Sequence, residues 1–316
     1  MLRLVLVNQG CYASSYADVL QRVSNASVVA VVDSNPDAGR DAAGLLGAKR
    51  VATSLNQLPQ TGGPEFDAVV VHGSVITSEA VDLARSGKHF LVDLAIAEER
   101  LVEQLNQACK LSEACLMFGQ RHRFQQSLQV MKDRLSSGKL GAPGLLRVHR
   151  WESAGDDRSL IQQVICDVDL ANWLFESVPD LIYAVAGGAG PGYVQVHLGF
   201  PGGGMALIDC ATSLPDGSNP YSAVTLVGST GAAYADQHRN AQLLIGSEQT
   251  TALSTGEGDR DLRDQLQEFV DAVEQKREPG VTGAEADAAL RVARTAVQSL
   301  AAGQAAHLVG ETYELV

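Results

Sequence analysis

The first 33 residues constrain the fold more than any other part of the chain. An apolar run, Leu2–Val7, is followed by a glycine-containing turn, an Ala-rich stretch that starts near Ser14, and a second apolar run, Val28–Val32, that ends at Asp33. Continuous apolar runs of this length are typical of strands that are buried on both faces of a parallel sheet. Strand, glycine turn, helix, strand and acidic residue is the order of a dinucleotide-binding βαβ unit. The segment therefore predicts an α/β fold and a nucleotide ligand together.

The turn of this unit departs from the usual G-x-G-x-x-G/A pattern at its first position. Its residues are Asn8, Gln9, Gly10, Cys11, Tyr12 and Ala13. Asn8 takes the place of the first glycine, and Asn is one of the few other residues that tolerate a positive φ. Gly10 lets the backbone approach a pyrophosphate, and Ala13 allows close packing of helix on strand. The alternative is a strand–turn–helix unit that binds no ligand.

The ends of the later strands add candidate cofactor contacts. Asp33 lies 20 residues after Ala13, where a carboxylate can accept hydrogen bonds from the adenosine ribose. Ser34 rather than Arg follows it, which favours NAD over NADP. Two more predicted strands, Asp67–Val71 and His89–Asp93, end at the same edge of the sheet. The residues at these ends that we expect near the cofactor are His72, Gly73, Ser74 and Asp93.

Composition limits the partners that the chain can have. The formal net charge of −13 argues against nucleic acid or an anionic membrane as a partner. The five cysteines are odd in number and none is spaced as C-x-x-C, so we expect reduced thiols and neither a disulfide framework nor a zinc site. No apolar run reaches ~18 residues, and no signal-peptide pattern is present. We therefore expect a cytoplasmic protein with a small-molecule substrate and no metal.

The alternation of strands and helices changes character after Gly119. Repeated βα units up to this point predict a doubly wound parallel sheet. From Leu181 to Ile245 the chain instead shows short strands joined by Gly, Pro, Asn and Asp, as hairpins are. We expect a dinucleotide-binding Rossmann domain over residues 1–119. Residues 120–316 are expected to form a substrate-binding and dimerisation domain of the α+β class, with an open, mostly antiparallel sheet.

Four segments, in order along the chain, resemble motifs of the Gfo/Idh/MocA oxidoreductase family. They are Gly87–Phe90 with Val92–Ala97 (G-K-H-V, then E-K-P-x-A), Gly138–Gly141 (s-G-x-l-G), Cys166–Leu170 with Trp173-Leu174 (H-D-I-D-l…W-l), and Thr282-Gly283. The resemblance implies a Rossmann domain that binds NAD or NADP. It also implies a second domain whose open sheet forms the interface of a homodimer or homotetramer. The implied reaction is oxidation or reduction of sugars, inositols and related alcohols.

The chain departs from these motifs at the positions that handle protons. The family's Lys of E-K-P corresponds to Leu94, its usual general base in H-D-I-D to Cys166, and the Asp four residues earlier to Gln162. Leucine can neither take a proton nor stabilise an alkoxide, and a neutral thiol with a pKa near ~8.5 is a poor base. Asp93 and Asp169 keep the two carboxylates of the motifs. The resemblance therefore implies a catalytic site at Gln162, Cys166 and Asp169 with altered or reduced machinery, although each residue could instead be structural.

Three functional hypotheses stay open from the sequence. The first is an NAD(P)-dependent oxidoreductase of altered chemistry. The second is a catalytically silent relative that binds a nucleotide or metabolite, or serves as a non-catalytic subunit. The third is a dehydrogenase that has rebuilt its acid/base group from His72, His122 or Asp167. Arg121 and Arg123 could bind an acidic substrate or form interdomain salt bridges.

Overall fold

The chain divides into two compact units. Our computed structural model describes residues 1–8, 13–58, 66–72, 78–94, 99–153, 159–187, 192–215, 220–236, 241–246, 250–254 and 259–316. Unit 1 comprises Met1–Arg121 and Gly258–Asp287, and unit 2 comprises His122–Glu257 and Ala288–Val316. The first division lies two residues from the expected boundary at 119/120. The segment Gly258–Asp287 differs from the expectation, because it joins unit 1 and not the second domain.

Unit 1 is built on a parallel sheet. Its described strands lie in the order β3-β2-β1-β4-β5-β6, and every neighbouring pair is parallel. The strands are β1 (Leu2–Asn8), β2 (Ala26–Val32), β3 (Arg50–Ala52), β4 (Ala68–His72), β5 (His89–Asp93) and β6 (Leu116–Gly119). The helices are α1 (Ala13–Leu20), α2 (Pro36–Leu46), α3 (Ser78–Arg85), α4 (Glu99–Ser112) and, from the later segment, α7 (Arg260–Gln275). The expected doubly wound Rossmann sheet is confirmed.

The segment Gly258–Asp287 belongs to unit 1 because it covers the last strand of the sheet. The Phe118 N–H of β6 donates to the Val281 carbonyl at 3.2 Å, so this edge strand gains a backbone partner. On α7, Leu266 and Phe269 are fully buried. Nothing in the sequence between the two parts of unit 1 signals this return of the chain.

Local chemistry sets the ends of α2. The Asn35 side chain accepts hydrogen bonds from the backbone N–H groups of Asp37 and Ala38, and Pro36 is the first helical residue. At the other end Gly47 has φ +67° and donates its N–H to the Ala43 carbonyl. These caps therefore fix where α2 begins and ends, and the Asn35 cap also fixes the turn that follows Asp33.

Unit 2 contains a mostly antiparallel sheet. Its described strands lie in the order β14-β13-β12-β11-β7-β10-β9-β8-β15-β16, with the β7–β10 pair parallel. The strands are β7 (Pro143–Ser153), β8 (Leu181–Ala186), β9 (Tyr193–Gly199), β10 (Met205–Leu214), β11 (Tyr221–Gly228), β12 (Gly231–Asp236), β13 (Ala241–Gly246), β14 (Thr250–Ser254), β15 (Ala306–Val309) and β16 (Thr312–Leu315). The helices are α5 (Gln126–Ser136), α6 (Leu160–Phe175) and most of α8 (Gly283–Ala302). The expected α+β class is confirmed.

The two faces of this sheet differ. Alternate residues of β7 and β10, such as Leu146, Val148 and Ile208, are fully buried on the face against which α6 packs. The opposite face, which we call the open face, leaves large apolar side chains 37–49% exposed. These are Trp151, Val185, Tyr193, Met205, Val227 and Tyr234. The strand register also aligns a set of polar side chains on the open face, the open-face cluster, which consists of Arg147, His149, Gln195, His197 and Asp209.

Candidate functional site

The carboxyl edge of the unit 1 sheet has the geometry that dinucleotides use. The strand order reverses between β1 and β4, and such switch points open a crevice at the carboxyl ends of the strands. Asn8 and His72 are register partners at the ends of these two strands, and α1 begins at Ala13 close behind β1. The positive end of the α1 dipole therefore lies at this edge. Gly10, Cys11, Tyr12, Gly73 and Ser74 fall outside the described residues.

Asp33 lies at the end of β2, the strand beside β1. Its side chain is buried, and Oδ1 accepts the backbone N–H of Asn35 at 2.9 Å. Ser34 is exposed. Because Asn35 in turn caps α2, the carboxylate is fixed by the same turn that starts the helix. Asp33 therefore lies directly after β2, and its binding of a ribose stays a prediction.

The ends of β5 and β6 form a second part of this edge. Asp93 and Gly119 are register partners, and the Leu94 side chain next to Asp93 is 0% exposed. Leu94 therefore offers packing and no polar group. Gln120, just after β6, is also 0% exposed, and both its amide atoms lack a hydrogen-bond partner within the described part of the chain. A buried amide without a protein partner is satisfied by a bound molecule or by water.

Tyr16 on α1 is a buried phenol near this edge. Burial raises the pKa of Tyr16 far above its usual value, and the charge of Asp93 raises it further, while Arg121 acts in the opposite direction. The phenol therefore keeps its proton throughout the physiological pH range. The sequence alone does not point to Tyr16, because a tyrosine on a helix gives no signal of a nearby carboxylate.

Arg121 and Arg123 are each bound to a carboxylate of their own unit. Arg121 donates from Nε and Nη2 to both oxygens of Asp261, at 3.0 and 2.7 Å. Arg123 donates in the same bidentate way to Asp169, at 2.7 and 2.6 Å, and both side chains are at most 5% exposed. Such paired N–H···O bonds are strong and geometrically specific. The guanidinium groups thus brace α7 and α6.

Asp167 on α6 is the centre of a second buried ion pair. Arg150 of β7 donates from Nε and Nη2 to its carboxylate, with the shortest distance 2.7 Å, and also bonds to Ser222. The Nδ1 atom of His122 lies 3.5 Å from Asp167 Oδ1. The sequence signal for Arg150 is its inward position in β7, where its neighbours of the same parity, Leu146 and Val148, are apolar.

The other two motif positions on α6, Gln162 and Cys166, lie in different surroundings. Gln162 closes a capping box: its side-chain oxygen accepts the Ser159 N–H at 2.8 Å, and the Ser159 hydroxyl accepts the Gln162 N–H. Cys166 is half-buried, one turn further along the helix. Cys166, Asp167 and Asp169 therefore all lie on α6, and the Gln162 side chain is held at the start of that helix.

Across the described residues, no group of three or more His, Cys, Asp or Glu side chains could hold a metal ion. None of the helices in the same part of the chain has the length and apolar character needed to cross a membrane.

A cavity in unit 1 lies away from the switch point. Its volume is about 680 Å³, and its lining includes His89 and Leu116 at the amino ends of β5 and β6. It therefore does not overlap the carboxyl edge that carries Asp33 and Asp93.

Comparisons with known proteins agree with this architecture. The chain is 22% identical over 333 residues to the myo-inositol 2-dehydrogenase of Thermotoga maritima, covering 95% of this chain and 96% of that protein. It is 23% identical over 337 residues to the 1,5-anhydro-D-fructose reductase of Ensifer adhaerens, covering 98% and 99%. The structure of scyllo-inositol dehydrogenase from Lactobacillus casei, with bound NAD(H) and scyllo-inositol, matches with a TM-score of 0.82 at 16% identity, covering 97% and 99%. No protein-family model matches the chain.

The chain has the fold of these oxidoreductases. By their names, these three proteins act on inositols or on a sugar derivative, as proteins of the family that its motifs resemble do. The match extends over nearly the whole length of both chains in each case.

Proposed function

We propose that this protein is an NAD-dependent oxidoreductase that interconverts an alcohol and a ketone on an inositol-like or sugar-like substrate, with proton-handling groups that differ from the family pattern. The observation that carries the proposal is the strand order of unit 1, with Asp33 at the end of the strand beside the switch point. Similarity to inositol and sugar oxidoreductases over the full chain supports it.

The described residues fit NAD at the carboxyl edge of unit 1. Asp33 would bind the adenosine ribose, the N-terminus of α1 would face the pyrophosphate, and the Gln120 amide would gain a partner. A carboxylate at this place repels a 2′-phosphate, so NAD is favoured over NADP. The further cofactor contacts that we propose are Asn8, Gly10, Cys11, Tyr12, Ala13, His72, Gly73, Ser74 and Asp93.

NAD held at this edge would supply a two-electron acceptor for the hydride of the carbinol carbon, and the hydroxyl proton would be left for the protein to take. Several side chains at the family's motif positions are not suited to accept that proton. The buried Leu94 side chain has no basic atom, and the Gln162 amide is occupied by the helix cap. The carboxylates of Asp167 and Asp169 are each held by an arginine.

The substrate that this arrangement favours carries no charge. Arg121 and Arg123 were the candidates for binding an acid, and each guanidinium is already matched with a carboxylate. Taking a substrate carboxylate would leave Asp169 unpaired in a buried place, which costs several kcal/mol. A neutral polyol or its ketone needs hydrogen-bonding groups only.

We also propose that a second copy of the chain covers the open face of the unit 2 sheet, giving a homodimer or a homotetramer. The exposed apolar side chains of this face flank the open-face cluster, so the surface is apolar around a polar centre. Light scattering of the purified chain tests this: Met205→Glu and Tyr193→Glu should dissociate the oligomer, and Leu45→Glu, exposed on unit 1, should not. A monomeric wild-type protein contradicts the proposal.

The test of the proposed function has two stages. NADH binding is measured by fluorescence titration with wild type, Asp33→Ala and the exposed control Asp41→Ala. We expect tight binding that Asp33→Ala weakens at least ~10-fold and that Asp41→Ala leaves unchanged, since about 1.4 kcal/mol is one decade in affinity. Hydride transfer is then assayed with myo-inositol and NAD, and with 1,5-anhydro-D-fructose and NADH. Absence of NADH binding at millimolar concentration overturns the proposal.

One observation favours a second candidate, a catalytically silent relative that keeps the cofactor site. Two of the three positions at which the family handles protons are committed to structure here, since Leu94 is fully buried and Gln162 caps α6. NADH binding without hydride transfer to any of the probes supports this candidate over the oxidoreductase.

A further inference from the structure

Two buried glutamines of unit 1 carry amide atoms that no group of the described chain satisfies. Gln120, the residue after β6, is 0% exposed, and neither its Nε2 nor its Oε1 has a hydrogen-bond partner. Gln265 of α7 is 3% exposed, and its Oε1 also lacks a partner among the described residues. Because an unpaired buried polar atom destabilises a fold, native structures nearly always provide it with a partner in the protein, in water or in a ligand.

Helix α7 places Gln265 at the carboxyl end of β6. Arg121, two residues after this strand, binds Asp261 in the first turn of α7. One turn later Gln265 lies against Gly119, the last residue of β6, since a methyl group at Gly119 would come within 3.3 Å of Gln265 Nε2. Gln120 follows Gly119 directly in the chain, so both glutamines lie at the same end of the strand.

This end of β6 is in the part of the carboxyl edge that lies across the switch point from Asp33. Asp33 follows β2, which lies on one side of β1, whereas β4, β5 and β6 lie on the other side. A dinucleotide binds across such a crevice, with one mononucleotide half on each side of the switch point. With the adenosine ribose at Asp33, the nicotinamide half belongs on the side where Gln120 and Gln265 lie.

The unpaired atoms match the hydrogen-bonding groups of a primary carboxamide. They are one donor, Gln120 Nε2, and two acceptors, the Oε1 atoms of Gln120 and Gln265. A carboxamide has one carbonyl acceptor and two N–H donors, whereas a carboxylate only accepts and would leave both Oε1 atoms unpaired. Asp93, the register partner of Gly119, already places one carboxylate at this edge, and its charge disfavours a second.

We propose that Gln120 and Gln265 recognise the carboxamide of the nicotinamide ring and select it over a carboxylate at the same ring position. The inference rests on the proposed function, because it assigns one group of the proposed cofactor to these two side chains. It concerns binding alone, and both residues belong to unit 1.

Isothermal titration calorimetry of the purified protein with three ligands tests the proposal. They are oxidised NAD, nicotinic acid adenine dinucleotide, which has a carboxylate in place of the carboxamide, and ADP-ribose, which lacks the ring. We expect the wild type to bind NAD at least ~10-fold more tightly than the carboxylate analogue, because the analogue leaves buried acceptors unpaired. Equal affinities for these two ligands in the wild type overturn the proposal.

Leucine variants show which side chains carry the selection. Gln120→Leu and Gln265→Leu should each weaken NAD binding and reduce the preference for NAD over the carboxylate analogue, while the affinity for ADP-ribose stays that of the wild type. Gln107→Leu, at an exposed position of α4, is the matched control and should keep the wild-type preference. Either buried variant overturns the proposal if it keeps that preference or weakens ADP-ribose as much as NAD.

Thermal melts separate recognition from a structural role for Gln120. Leucine is close to glutamine in size and has no polar side-chain atom, so it removes the cost of burying an unpaired amide. Unliganded Gln120→Leu should therefore melt at or above the wild-type temperature, and the rise of the melting temperature that NAD causes should be smaller than in the wild type. A lower melting temperature without ligand, together with an unchanged rise with NAD, would show a structural role and overturn the proposal.

The outcomes distinguish this inference from the proposed function. If the wild type binds NADH and ADP-ribose but binds NAD and its carboxylate analogue equally, the two amides hold water only, and the proposed function stands without the inference. If the wild type binds none of these ligands at millimolar concentration, the proposed function fails and takes the inference with it. The wild-type comparison requires no variant, so it decides even where a leucine variant does not fold.

Discussion

Buried carboxylates lie on α6 and on the open face of the unit 2 sheet, but they are neutralised differently. Asp169 and Asp167 on α6 are each bound by an arginine fork. Asp209 in the open-face cluster is equally buried, yet it accepts a hydrogen bond from the Gln195 amide, lies 3.0 Å from His149 Nδ1, and has its nearest arginine, Arg147, at 3.8 Å. The carboxylates on α6 are therefore bound by guanidinium groups, whereas the carboxylate of the open-face cluster faces an imidazole and an amide.

This difference indicates what each region can do. A buried, bidentate ion pair holds a helix in place. The open-face cluster instead couples a surface to protonation. Burial lowers the pKa of His149 below its usual value against the pull of Asp209, and the nearby charges of Arg147 and Arg150 lower it further.

The largest effect is expected from breaking an α6 pair. Arg123→Ala leaves Asp169 charged in a buried place, so the free energy of unfolding should fall by about 3–5 kcal/mol. Urea denaturation measures this. The matched control is Arg40→Ala, which breaks the exposed Arg40–Asp37 pair and should cost less than about 0.5 kcal/mol. Equal losses in the two variants would contradict the contrast between buried and exposed pairs.

A smaller effect is expected on the open face. Asp209→Ala removes the acceptor of the Gln195 amide and the partner of His149, and a buried polar group without a partner costs about 1–3 kcal/mol. Asp209→Asn keeps an acceptor oxygen and should cost less than Asp209→Ala. If Asp209→Ala cost as much as Arg123→Ala, the two regions would not differ as we argue.

His149 on the open face should contribute to the pH dependence of stability. Because the pKa of His149 is lowered in the folded state, the unfolded chain binds more protons between the ordinary histidine value and the lowered one. Stability is therefore full above about pH 6.5 and falls as the pH drops through that window. Thermal melts between pH 8 and 5 should show a smaller decline of the melting temperature in His149→Gln than in the wild type.

His89 of unit 1 should affect stability in the same direction, because its pKa is also lowered, chiefly by burial. His89→Gln measures its share of the decline. If the melting temperature of His149→Gln fell with pH as steeply as that of the wild type, the open face would not contribute to the pH dependence of stability.

The smallest effect concerns the start of α6. Gln162→Ala opens the capping box and should lower the free energy of unfolding by about 0.5–1 kcal/mol, with NADH binding unchanged. Ser159→Ala should cost a similar amount, and the double variant should cost less than the sum, because both residues belong to one box. Loss of NADH binding in Gln162→Ala would assign this residue to the functional site after all.

Much of the fold could be predicted because its signals are local. The ends of α2 carry such signals, since Asn35, Pro36 and Gly47 mark where the helix Pro36–Leu46 begins and ends. The short strands β14–β16 were not predicted, because each has only four or five residues. The return of α7 to unit 1 was not predicted either, because contacts between distant segments leave no local pattern.

In the candidate site, too, local features could be predicted from the sequence and long-range contacts could not. The place of Asp33 followed from spacing, and Ser159-x-x-Gln162 is a capping-box signature that could have been weighed against the motif assignment of Gln162. The partner of Arg123 lies 46 residues away, and that of Arg121 lies 140 residues away. Only folding brings such pairs together, so one sequence could name the charged residues and not their pairing.

The backbone bond between Phe118 and Val281 has a consequence for dissecting this protein. A fragment that ends at residue 121 would contain all six Rossmann strands but would leave the outer side of β6 bare, with Arg121 deprived of Asp261. Uncovered strand edges recruit other chains. Such a truncation would therefore aggregate edge to edge, and a self-standing nucleotide module requires residues 258–287 to be grafted back behind it.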